Sequence, residues 1–88
     1  MNDTILIWDL DDDPEGNVQH IAEHDLTKDE VASIFADPSR WTTESESSGR
    51  PLTFGTTNTG RYIAVVWEHV DDQPLTIYPL TAYEPTDE

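Results

Sequence analysis

The chain has 88 residues and no cysteine, with 19 acidic residues against 4 lysines or arginines and a formal net charge of −15. That length supports one domain around one core, and the missing thiols exclude a disulfide framework and a thiolate metal site. The acid excess argues against nucleic acid as a direct ligand, since phosphates are bound by cations. No run approaches the roughly 20 apolar residues of a membrane helix, and with no basic leader a cytoplasmic protein is expected.

Residues 4–9 (Thr-Ile-Leu-Ile-Trp-Asp) form a short apolar run before an acidic cluster, which predicts a buried strand. Asp13-Pro14 is expected to open a helix, with aspartate as N-cap and proline at the first helical position, where its missing N–H is no loss. Val18, Ile21 and Ala22 supply that helix with an apolar face, and His24-Asp25 ends it. The next segment carries the best local signal in the chain. Thr27-Lys28-Asp29-Glu30 reads as a capping box, flanked by a Leu26–Val31 hydrophobic staple. Val31, Ile34 and Phe35 then repeat at helical spacing, and Asp37-Pro38 stops the helix.

Beyond residue 40 the pattern is β-type. Residues 40–46 predict a polar strand, and Ser47-Ser48-Gly49 a turn. Residues 51–57 predict a strand holding Leu52 and Phe54, followed by the turn Thr57-Asn58-Thr59-Gly60. Residues 61–70 alternate Ile63, Val65 and Trp67 with Tyr62, Ala64 and Val66. Both sets are largely apolar, which places this strand in the middle of a sheet. A turn at 71–74 leads to the last strand, 75–83, where Pro79 requires an edge or a bulge. Strand, helix, helix and a meander of about four antiparallel strands make an α+β fold. The domain is expected over 1–83, with 84–88 a frayed acidic tail. Leu26, Val31, Ile34, Phe35, Phe54, Val65 and Trp67 are the expected core.

The sequence is similar to the BrnT toxin family, small RelE-like ribonucleases that pair with BrnA antitoxins. The similarity rests on Trp8-Asp9, Asn17, His24, the capped segment 27–35 ending in Phe35-Ala36-Asp37-Pro38, Arg50 ahead of Phe54-Gly55, Gly60-Arg61, Val65-Val66-Trp67 and Thr81-Ala82. The resemblance implies a RelE-like fold and a site built from His24, Arg50, Arg61 and Tyr83, with no metal and no cofactor. The departures fall on that site. The toxins carry Lys-His-Gly where this chain has Glu23-His24-Asp25, and Ala-Arg where it has Ala82-Tyr83. The family's closing helix is not expected here. Metal-free RNA cleavage needs donors or cations where phosphate charge grows in the transition state, with an acid or base such as His24 in reach. Glu23 beside His24 repels the phosphate instead.

Other motifs carry less. His20-Ile21-Ala22-Glu23-His24 has the H-x-x-E-H spacing of zinc peptidases, but two histidines lack a third ligand, and ordinary polar positions on a helix account for them. The run from Asp9 fails as an EF-hand, with Pro14 where glycine and His20 where glutamate are needed. Capping and helix-dipole compensation explain those acids. Trp8 and Trp67 suit a core, whereas Trp41 sits in a polar strand. Ser45, Ser47 and Ser48 have no oriented histidine to form a triad.

The expected function is therefore binding of a basic protein partner, antitoxin-like in the family's pattern, with ribonuclease chemistry lost. The alternative is a ribonuclease toxin of a type II toxin–antitoxin pair. One consequence follows from charge alone. Surplus negative charges repel one another and oppose compaction, and added salt shortens the Debye length from about 30 Å at roughly 0.01 M to about 8 Å at roughly 0.15 M. The melting temperature should rise between those conditions in differential scanning fluorimetry, and a flat or falling profile would show the acids to be locally neutralised.

Overall fold

Thr27 opens a helix as its neighbours require. In the computed structural model, which describes residues 4–46 and 48–85, Thr27 accepts from the Glu30 N–H and the Glu30 carboxylate accepts from the Thr27 N–H. This box starts α2 (Lys28–Ile34). The remaining elements are β1 (Ile5–Leu6), α1 (Asn17–Ala22), β2 (Trp41–Glu44), β3 (Pro51–Thr56), β4 (Tyr62–Asp72) and β5 (Leu75–Tyr83). The fold is α+β, with two short helices and a five-stranded sheet in the order β1-β5-β4-β3-β2. Ser47 of the expected turn and residues 86–88 of the expected tail lie outside the described residues.

β2 to β5 form the antiparallel meander, and β4 lies at the centre of the sheet as its two apolar faces require. The sheet is mixed, because β1 pairs with β5 in parallel. β1 is shorter than the apolar run suggested and occupies an edge, so Ile5 and Ile7 stay exposed rather than buried. Pro79 is not on an edge strand, since β5 lies between β1 and β4. It is tolerated at a bulge: Val66 faces Thr81 while Trp67 faces Pro79, leaving Leu80 as an extra residue.

α1 starts later than Asp13-Pro14 predicted. Asp13 closes a turn instead, accepting from the Glu15 N–H at 3.0 Å, and Gly16 takes the N-cap position. A Cβ on Gly16 would lie 2.7 Å from the Cβ of Asp9, so the close approach of these segments requires glycine. Asp9 then caps the helix from outside, its carboxylate accepting from the Asn17 N–H at 2.9 Å. Ile21 is fully buried on this helix, whereas Ala22, expected beside it, is exposed.

The core lies between the helices and one face of the sheet. Ile21, Leu26, Val31, Ile34 and Phe35 from the helical half meet Ile63, Val65, Trp67, Ile77 and Ala82 from the strands. Phe35 meets Trp67 edge to face, with ring centroids 6.3 Å apart, and the Trp67 indole donates to the buried Thr53 hydroxyl at 2.8 Å. Phe54, expected in this core, lies on the other face, because it pairs with Ala64 while Val65 pairs with Thr53. Truncating Phe35 or Trp67 to alanine should cost about 3–5 kcal/mol, a large part of the roughly 4–13 kcal/mol available to a chain this size. A thermal melt of Phe35→Ala that overlays the parent would contradict this packing.

Candidate functional site

Three of the four residues that the sequence nominates meet at one end of the sheet. His24 follows α1 in an exposed turn, which closes on Asp25 in the left-handed region at φ 62°. Its ring lies 6.4 Å from that of Tyr83, which ends β5, and 6.4 Å from that of His20 one helical turn earlier. Arg61 precedes β4 and reaches back toward the same turn, donating to the Asp25 carbonyl at 2.6 Å. Arg50 does not join them. It donates to Glu68 at 3.1 Å, and Glu68 lies six residues beyond Tyr62 along β4, about 20 Å at the rise of a strand.

Arg61 is paired with two carboxylates. Besides the Asp25 carbonyl, its Nε donates to Glu84 at 3.1 Å and its Nη1 lies 3.4 Å from Glu30. Glu84, expected in a frayed tail, is thus tied to the body of the domain. Glu30 is only 7 % exposed. The Thr59 hydroxyl is the main influence holding its carboxyl below the usual range, against burial and with help from the Thr27 N–H and Arg61. Glu84 is lowered chiefly by Arg61, and Arg61 is raised in turn, chiefly by Glu84. His24 and Tyr83 stand side by side, but the adjacent guanidinium is already paired with Glu30 and Glu84.

A second polar cluster, built on hydrogen bonds, went unread in the sequence. Asn17 is buried and donates through Nδ2 to the carbonyls of Ile7 and Pro79, both at 2.9 Å. Asp9 accepts from the Tyr78 hydroxyl, which pushes the Tyr78 pKa up to about 12 and holds the Asp9 carboxyl low. These contacts are structural, joining the end of β1 to the bulge of β5.

The face of the sheet turned away from the core carries an aromatic row. Trp41 pairs with Phe54 and Phe54 with Ala64, and Tyr62 lies two residues before Ala64, so all share one face. Trp41 stacks on Phe54 at 4.3 Å between centroids, and Phe54 lies 6.0 Å from Tyr62 in nearly parallel orientation. The Trp41 indole donates to the Tyr62 hydroxyl at 3.1 Å. Trp41 and Tyr62 are about half exposed.

Among the described residues no group of three or more histidines, aspartates or glutamates is arranged to hold a metal ion. A cavity of about 300 Å³ is lined by Pro14, Glu15, Gly16, His20 and Glu23. Its two glutamates make it unsuited to an anion. No helix among the described residues is long and apolar enough to cross a membrane. No family model, curated protein or solved structure shows a significant match to the chain.

The Glu30 cluster makes the pH response readable. A carboxyl lowered in the folded state adds stability that is full above its unfolded pKa, about 4.5, and is lost as pH falls through the folded value. The stability difference between the parent and Glu30→Gln should therefore be largest near neutrality and shrink below about pH 4.5. Urea titrations of both proteins from pH 7 downward measure it, and a difference independent of pH would contradict the ionic account of this cluster.

Proposed function

We propose that the chain is a divergent BrnT-like domain that binds a basic protein partner and has lost the ribonuclease chemistry of that family. The observation that carries this reading is the fate of the cations. Arg61 is shared between Glu30 and Glu84, Arg50 is paired with Glu68, and Lys28 with Asp11. A phosphate entering beside Arg61 meets two carboxylates already paired with that guanidinium, within a chain of net charge −15. Stabilising a charged transition state requires donors left free for it. A basic protein meets no such competition, and the same charge speeds its approach.

The kinship itself draws support from the turn at Asp25. The resemblance calls for glycine there, and the backbone holds φ 62°, a conformation that favours glycine. The turn geometry suits the family while the side chain departs from it. Two helices ahead of an antiparallel meander are in keeping with a RelE-like arrangement.

A working ribonuclease toxin is the second reading. It is favoured by the meeting of His24, Arg61 and Tyr83 at one end of the sheet, and weakened by the distance to Arg50. An RNA cleavage assay at physiological salt separates the two. The parent and Arg61→Ala should both leave RNA intact, while a basic partner isolated with the parent should associate more slowly as salt rises. Cleavage by the parent that disappears in Arg61→Ala or His24→Ala would restore the toxin.

A further inference from the structure

The aromatic row reaches the edge of the sheet, and that edge is open. β2 pairs with β3 alone, and all four of its residues are exposed. An exposed edge presents unpaired backbone donors and acceptors to any incoming strand. Natural edges are commonly blocked by lysine, proline or a bulge; β2 contains neither residue, and its register with β3 is unbroken. Its protection is its short length and the charge of Glu44.

Both signs of charge border this edge, and the cation across the β2–β3 turn is engaged: Arg50, whose carbonyl accepts from the Ser45 N–H, is paired with Glu68. Glu44 and Glu46 are exposed and make no ion pair among the described residues. Arg40, next to Trp41 in sequence, donates instead to the Asp37 carbonyl at 3.1 Å. Phe54 covers one side of the Trp41 ring by stacking, while the residue as a whole remains 51 % exposed. A tryptophan ring is the best side-chain platform for a cation, and arginine stacks on it more readily than lysine does.

Building on the basic-partner reading, we infer that β2 and Trp41 form the docking edge for an extended, arginine-bearing segment of that partner. The segment adds as a strand beside β2. One guanidinium lies over Trp41 on the outer face, and a cation three residues along the segment meets Glu44 on the opposite face. A second copy of this chain fits the edge poorly, because it brings another fifteen surplus negative charges against the same surface. Single-stranded RNA could stack bases on the aromatic row, but its phosphates would face the same carboxylates.

The test is an NMR titration of the labelled chain with the octapeptide Arg-Val-Val-Arg-Arg-Val-Val-Arg, whose arginines three apart face opposite sides of a strand, with its glutamate counterpart and oligouridine as parallel arms. The arginine peptide should shift the Trp41 indole and the amides of β2, whereas the other two should leave them in place. Trp41→Ala should weaken binding about tenfold, and the Glu44→Gln, Glu46→Gln double variant should flatten its salt dependence without altering the melt. Binding of undiminished strength in Trp41→Ala, or shifts confined to residues 9–13, would overturn this edge and leave the basic-partner reading standing. Absence of peptide binding together with shifts from oligouridine would overturn both. Concentration-dependent dimerisation lost in Trp41→Ala would assign the edge to a second copy instead.

Discussion

Arg61 draws together segments that the chain order keeps apart. Its guanidinium meets the turn after α1 at Asp25, the first turn of α2 at Glu30, and the end of β5 at Glu84. Its own N–H donates to the Thr57 hydroxyl at 3.0 Å, and Thr59 of the same turn donates to Glu30. Glu30 therefore has two duties, closing the capping box of α2 and anchoring the turn that leads into β4. Neither is affordable for a nearly buried carboxylate without a cation beside it. In a chain with 4 bases to 19 acids, committing one of them to this position limits what the same end of the sheet can offer a phosphate.

The start of α1 reaches the same outcome without a cation. Asn17 and Asp9 satisfy one another reciprocally, the Asp9 N–H donating to Asn17 Oδ1 and the Asn17 N–H to Asp9 Oδ2, both at 2.9 Å. The Asn17 amide also satisfies the Pro79 carbonyl at the bulge of β5. Hydrogen bonds to a carboxylate are stronger than neutral ones, so a short β1 of two residues can be held in parallel against β5. The proline that the ladder could not otherwise accommodate is fixed by the same contacts.

What could be read in the sequence was local. The capping box of α2, the period-two alternation of β4 and the polar turns at 57–60 depend on neighbours within a few residues, and the chain follows them. What could not be read depends on contacts across the fold. Asp13-Pro14 is a sound helix opening by itself, yet the helix starts at Asn17, because Asp9 caps it there and Gly16 permits the approach. Phe54 is as apolar as Val65, and only strand register decides that it faces away from the core. Of the four residues named on a family resemblance, His24, Arg61 and Tyr83 lie at one end of the sheet and Arg50 does not. No local signal reveals that Glu30 and Glu84 occupy the arginine, since their separation in sequence from Arg61 exceeds twenty residues on either side.

The two faces of the sheet divide the chain's apolar residues unevenly in purpose. One face meets the helices and is buried by them. The other gathers Trp41, Phe54 and Tyr62 into a stacked row that the helices do not cover. A small domain needs its large aromatics in the core, because it has little apolar surface to spare, so an exposed tryptophan at an edge strand is not accounted for by stability. Solubility does not account for it either, since exposed aromatics oppose the effect of so many acids. The surrounding carboxylates supply the missing condition. On the proposed reading they repel a second copy or a phosphate backbone and attract a cationic chain. In the proposed docking, charge and aromatic placement act together, the acids disfavouring anionic partners and the row holding the cationic one.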